Sequence, residues 1–233
     1  MRSKPVKQTD EIRILGFGDS VINGGTQTEQ DSLSTTVIEK MLTQEYKKDI
    51  RCFNISYGSW GPDNCFSYLE EYGDFNAGLF LLVVSSHDAY DNMTFEKIVD
   101  IHPSFPSKQY KLALYELLDR YLIPYIKKEK ESHHIIKGNI FNSGFLAFYN
   151  YTQERRVPFF IYLHPDKAEL IEGKYDYQGN EIIKFCTDNN IFLLRGLECE
   201  DKSGFRDGIH LNEHGQRMLA EVLLPEIKRL LNN

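Results

Sequence analysis

The sequence predicts an α/β protein, a parallel sheet of five strands with helices on both faces. Two observations lead there. Five short apolar runs, at 12–17, 50–55, 79–84, 158–163 and 191–194, are mostly continuous rather than alternating, as strands covered on both faces read. Segments of helical period separate them, and such strand–helix alternation builds a parallel sheet. With 233 residues, 41% hydrophobic and 26% charged, the chain suits one domain of ordinary globular balance.

In chain order, residues 12–17 form the first strand, which runs out into Gly18-Asp19-Ser20. Residues 32–48 place Leu33, Val37, Met41 and Leu42 on one helical side, with Asp31 or Ser32 as N-cap. The second strand, 50–55, leads into Asn54-Ile55-Ser56-Tyr57-Gly58-Ser59-Trp60-Gly61, whose glycines let a backbone N–H turn inward. Residues 63–72 continue as a helix through Cys65, Phe66 and Leu69. The third run, 79–84, is the most hydrophobic and ends in Ser85-Ser86-His87-Asp88.

The interval from Ser85 to Val157 is far longer than a minimal crossover. Residues 89–156 or thereabouts therefore read as a helical insertion between strands 3 and 4, with 109–130 a long amphipathic helix. Rich in Tyr and Phe, it either walls the pocket or forms an interface. The fourth strand, 158–163, leads into His164-Pro165-Asp166, where Asp166 suits the N-cap of a following helix. A helix over 177–189, a strand over 191–194 and a closing helix over 210–231 complete the series. In such a sheet the ligand site lies beyond the carboxyl ends of the strands. The loops holding Ser20, Ser56–Gly61, Ser85–Asp91 and His164 therefore share one edge.

Composition narrows the function. A net charge of −7 with no basic stripe argues against nucleic acid, and Lys127-Lys128-Glu129-Lys130 reads as a solvated helix end. No apolar run approaches the roughly 20 residues of a membrane span. Residues 1–11 are polar and lack the apolar core of a signal peptide, so a cytoplasmic location is expected unless a leader has been removed. Cys52, Cys65, Cys186 and Cys199 show no CxxC spacing and no paired histidines, so neither a zinc site nor a disulfide framework is expected. No metal or cofactor is anticipated, and nothing sets an oligomeric state.

Three residue types carry the chemistry. Ser20 offers a hydroxyl at the mouth of the sheet, although Asp-Ser after a strand is also an ordinary loop or cap pair. Gly16, Gly24 and Gly25 are out of register for a dinucleotide fingerprint. Asp207 and His210, three apart at the entry of the last helix, share a face, where the carboxylate can fix the imidazole tautomer. The alternative is a capping Asp207, with Asn212 competing for that role. Serine, histidine and aspartate are the parts of an activated nucleophile. A side-chain N–H in the 85–88 loop can stabilise an oxyanion opposite it.

Together Gly18-Asp19-Ser20, the 54–61 glycine block, the 85–88 block and Asp207-Gly208-Ile209-His210 resemble the SGNH (GDSL-like) hydrolase family, in order and separation. The resemblance frames nearly all of residues 1–233 as one domain. It implies a flavodoxin-like three-layer α/β/α sandwich and no cofactor. It also implies Ser20 as nucleophile and donor of one oxyanion N–H, His210 as general base and Asp207 as its orienting carboxylate. A gapless reading of 54–63 puts Ser59 at the family's oxyanion glycine, with Gly58 just before it. In the third block the family's glycine is Ser85 and its asparagine is His87, whose neutral imidazole still has one N–H to donate. Asp19, Trp60, Asp88 and His164 lie in the same loops and are assigned to substrate contact. The implied function is a serine esterase acting on small acyl esters, O-acetyl carbohydrates first. The alternatives are an acyltransferase with the same triad and a weakly catalytic binder of glycans or partners.

Overall fold

A computed structural model describes residues 11–94, 99–100, 105, 107, 109–123 and 140–232. The basic cluster at 127–130 and the end of the expected 109–130 helix lie outside the described residues. Five strands, β1 (Ile12–Gly18), β2 (Ile50–Ser56), β3 (Leu79–Ser85), β4 (Phe159–His164) and β5 (Phe192–Arg195), form one parallel sheet ordered β2-β1-β3-β4-β5. β1, β2 and β3 each run one polar or glycine residue past their apolar runs. Ladder hydrogen bonds do not stop where apolar side chains do.

The two-residue period of each strand sorts its side chains onto two faces. Ile14, Cys52, Leu81, Val83 and Phe160 face the Ser34–Tyr46 and Glu213–Leu231 helices, packing with Ile38, Leu42, Leu219 and Leu223. Leu15, Phe17, Phe53, Leu82 and Ile161 face the Pro62–Tyr72, Ser143–Arg155 and Tyr177–Asp188 helices, packing with Cys65, Phe145, Phe148 and Ile182. The result is the expected three-layer α/β/α sandwich.

One expectation needs correction. The second helix begins at Ser34 behind a 3-10 turn, Gln30–Ser32, and its N-cap position is the buried Leu33; neither Asp31 nor Ser32 caps it. The chain also divides into two compact units, Met1–Met93 with Lys137–Asn233, and Thr94–Ile136. Both ends of the expected 89–156 insertion thus fall in the main unit, including the Ser143–Arg155 helix that covers the sheet. Within the smaller unit a short helix, Ala113–Leu117, continues as a π-helical turn, Leu118–Leu122. A cavity of about 590 Å³ there is lined by Tyr110, Leu112 and Tyr115 among others and by none of the expected site residues. Among the described residues no helix is long and apolar enough to cross a membrane.

Candidate active site

Strand order reverses at β1, because the chain moves from β1 to β2 on one side and then to β3 on the other. The crevice beyond such a switch point is where open α/β sheets bind ligands. Ser20 stands there. Gly18 is required just before it, since a Cβ would lie 2.5 Å from the Val83 carbonyl of the neighbouring strand. Buried Asp19 then caps a one-turn helix, Ser20–Asn23, its Oδ1 accepting from the Val21 amide at 2.8 Å. Gly24, at φ 73°, closes the turn by donating to the Ser20 carbonyl.

The Ser20 hydroxyl lies 3.0 Å from His210 Nε2, and His210 Nδ1 lies 2.8 Å from Asp207 Oδ2. These residues do not sit at a helix entry, as their spacing suggests. The closing helix begins at Glu213, capped by Asn212, whose side chain accepts from the Gly215 amide. Asp207–His210 is instead a tight turn closed by antiparallel pairing of Phe205 with Leu211 and by the Arg206 amide donating to the His210 carbonyl. Asp207 Oδ1 accepts from the amides of Ile209 (3.0 Å) and His210 (2.8 Å), which makes the turn an Asx turn. Desolvation opposes the Asp207 charge, but those amides and the imidazole outweigh it and hold the carboxyl well below the usual carboxylate range. With an ionised acceptor at Nδ1, His210 carries its proton there and turns the Nε2 lone pair to the serine.

His164, expected to contact substrate, has both ring nitrogens on protein partners. It is fully buried, with Nδ1 2.7 Å from Glu200 and Nε2 2.7 Å from the Ile209 carbonyl. Tyr162 also donates to Glu200. Burial drives the imidazole toward neutrality, but the Glu200 carboxylate and the Ile209 carbonyl outweigh it and lift its pKa above the ordinary histidine value. Through its contact with the Ile209 carbonyl, this pair fastens the Asp207–His210 turn, helped by the Lys167 amide donating to the Gly208 carbonyl at 2.8 Å. Asp166 caps the helix starting at Lys167, as its position suggests.

The two carboxylates expected to contact substrate are buried as well. Asp19 and Asp88 are 3% and 1% exposed. Asp88 Oδ2 accepts from the Ser85 amide at 2.7 Å, so its first duty is to hold the β3 loop. Trp60 is only partly buried and belongs to a row of rings, 6.0 Å from Tyr57 and 5.9 Å from Tyr68 between centroids.

The loops expected to supply oxyanion donors follow the strands flanking β1. Ser59 adopts φ 60°, the left-handed region that glycine occupies freely, and it is exposed beside exposed Gly58. This matches its alignment with a glycine. His87 follows β3 on a 3-10 turn, Ser86–Ala89, with 45% of its side chain exposed.

Sequence reasoning missed Glu200 and Gln216. Nothing distinguishes Glu200 among the acidic residues of its loop. Gln216 did leave a signal, a polar side chain on the stripe that continues through Leu219 and Leu223. It is fully buried, donating to the Val21 carbonyl (2.6 Å) and accepting from the Ser34 amide (3.0 Å), so it braces the Ser20 turn from behind.

No family model and no curated protein sequence matches the chain. Solved structures do. An acetyl xylan esterase is 16% identical, with 93% of this chain and 100% of that one covered, at TM-score 0.58. A lipase/acylhydrolase from Enterococcus faecalis is 13% identical over 94% and 96%, at TM-score 0.57. A two-domain esterase active on acetylated mannans is 10% identical over 96% of this chain and 50% of that one, at TM-score 0.58. The chain therefore has the fold of the GDSL-type esterases and acylhydrolases.

Proposed function

We propose that this chain is a serine esterase that cleaves small acyl esters through an acyl-enzyme on Ser20. The observation that carries the reading is the hydrogen-bond relay from Ser20 Oγ through His210 to Asp207, at 3.0 and 2.8 Å. Nothing in the fold requires an unprotonated imidazole nitrogen to face a serine at the mouth of the sheet. General-base catalysis does.

In this reading His210 Nε2 takes the Ser20 proton as Oγ bonds to the ester carbonyl carbon. The imidazolium, stabilised by Asp207, then protonates the departing alkoxide as the carbon–oxygen bond breaks. Water repeats the sequence, giving its proton to His210 and its oxygen to the acyl carbon, and releases the acid and Ser20. The Ser20 amide, the Gly58–Ser59 backbone and His87 are the proposed donors to the oxyanion. The Tyr57–Trp60–Tyr68 row beside Ser59 supports a sugar-bearing ester, because flat aromatic faces pack on pyranose rings. The acetyl xylan and acetylated mannan esterases of the same fold support O-acetyl as the acyl group.

Turnover of p-nitrophenyl acetate tests the chemistry. Ser20→Ala is expected to lower kcat by at least about 10³-fold. Equal rates for the two proteins overturn the esterase reading. Acetylated xylo-oligosaccharides test the substrate class, with Trp60→Ala raising KM there and leaving KM for p-nitrophenyl acetate unchanged.

A further inference from the structure

The expectation of no metal rested on cysteine and paired-histidine spacing, which cannot register ligands drawn from separate loops. Asp19 follows β1, and His87 and Asp88 follow the adjacent β3. Their nearest ligand atoms lie within 4.8 Å of one another. His87 Nε2 is 3.9 Å from Asp19 Oδ2 and 3.8 Å from Asp88 Oδ1. Those contacts are too long for hydrogen bonds.

Each carboxylate is anchored through one oxygen and presents the other. Asp19 gives Oδ1 to the Val21 amide and turns Oδ2 toward His87; Asp88 gives Oδ2 to the Ser85 amide and turns Oδ1 the same way. Asp88 Oδ1 is buried and receives no donor from the protein. Buried polar atoms are nearly always partnered, so this one asks for a ligand.

We propose that Asp19, His87 and Asp88 bind a divalent cation of the zinc class beside Ser20. One imidazole and two carboxylates are ligand types that zinc accepts, and three protein ligands leave a fourth position open. Magnesium and calcium prefer six or more oxygens and rarely accept imidazole. Around a tetrahedral ion with bonds of about 2.1 Å, ligand atoms sit about 3.4 Å apart, so the two His87 contacts, at 3.9 and 3.8 Å, each have to close by about half an ångström. The exposure of His87 leaves both that movement and entry of the ion open. The anchoring amides supply the outer-shell orientation that such sites use. With Nε2 on the ion, only Nδ1 of His87 remains to face a substrate.

This inference stands on loop geometry and does not depend on the esterase reading, so its test reads binding rather than turnover. Protein stripped with EDTA is titrated with zinc chloride in a calorimeter, and cobalt(II) absorption reports the ligand environment. Wild type and Ser20→Ala are expected to bind one ion each, with the thermal midpoint raised by zinc. His87→Asn, a change at a half-exposed side chain, is expected to weaken binding by at least about 10- to 100-fold and to abolish the midpoint shift. Asp88→Asn is expected to do the same. Zinc bound equally by wild type and His87→Asn, or by neither, overturns the proposal. So does a pH-dependent midpoint that zinc does not move, which would assign the pocket to a shared proton.

Discussion

Replacing Glu200 tests the pair that holds the Asp207–His210 turn. Glu200 is 3% and His164 0% exposed at the side chain, and the imidazole is fixed by a carboxylate at one nitrogen and a carbonyl at the other. Only the doubly protonated ring satisfies both contacts while Glu200 is ionised. Its pKa is raised above that of an unfolded histidine, so the contribution is complete below about pH 6.5 and is lost as pH rises through the folded value. Across that window one proton separates the two states, and stability falls by about 1.4 kcal/mol per pH unit. For a domain of this size that lowers Tm by about 3–6 °C per pH unit.

Glu200→Ala leaves the imidazole without its partner and is expected to cost about 3–5 kcal/mol, or about 6–20 °C in Tm. Glu200→Gln differs in kind. An amide nitrogen in place of Oε1 can donate to both Tyr162 Oη and His164 Nδ1, leaving a neutral ring that still donates to Ile209. This variant is expected to stay close to wild type above the pH at which His164 gives up its proton in the fold and to lose the extra slope below it. Calorimetric melts from about pH 6 to pH 9 decide the matter. Asp19 and Asp88 titrate in all three proteins, so the difference between slopes isolates His164. Parallel slopes for wild type and Glu200→Gln, or an alanine variant as stable as wild type, refute the reasoning.

Two other expectations follow from the same geometry. Asp207→Asn keeps an oxygen for the Ile209 and His210 amides but turns an N–H toward Nδ1, forcing the tautomer whose Nε2 cannot accept the serine proton. The kcat for p-nitrophenyl acetate should fall by about 10³–10⁴-fold with Tm nearly unchanged. Gly144→Ala places a Cβ 2.2 Å from the Asp63 nitrogen and the Pro62 carbonyl carbon, backbone atoms that cannot rotate away. Helix propensity returns about 1 kcal/mol, but overpacking of about 1–3 kcal/mol or more outweighs it, so Tm should fall by a few degrees on calorimetry.

Most of the sheet was legible because strands covered on both faces read as near-continuous apolar runs, interrupted in β2 by Arg51 and Asn54. β5 was the least distinct, since an edge strand carries exposed residues such as Phe192 at 45%. Ser143–Arg155 was harder, because it buries Phe145, Phe148 and Thr152 while Leu146 stays exposed, and its stripe is mixed. At the site, Ser20, Asp207 and His210 could be named, since their chemistry is local to short motifs. Their backbone could not, because an Asx turn and a helix entry share the i, i+3 spacing. His164 misled because it ends a strand and precedes a proline, as loop residues do. Yet Phe160, Tyr162 and His164 alternate onto one face, which already pointed inward. The partner that keeps it there, Glu200, is 36 residues away, and no local pattern encodes such a pairing.

Ser20 and His210 meet across 190 positions, and Gln216 clasps the Val21 carbonyl across 195. During synthesis Ser20 therefore leaves the ribosome long before His210, and the turn that carries it waits just as long for its brace. A nascent chain stalled before residue 207 would hold Ser20 as an ordinary alcohol. The Ser20–His210 contact and its Gln216 brace form only when the chain from Asp207 onward docks, so under the proposed function whatever slows that docking delays activity without touching any residue of the relay.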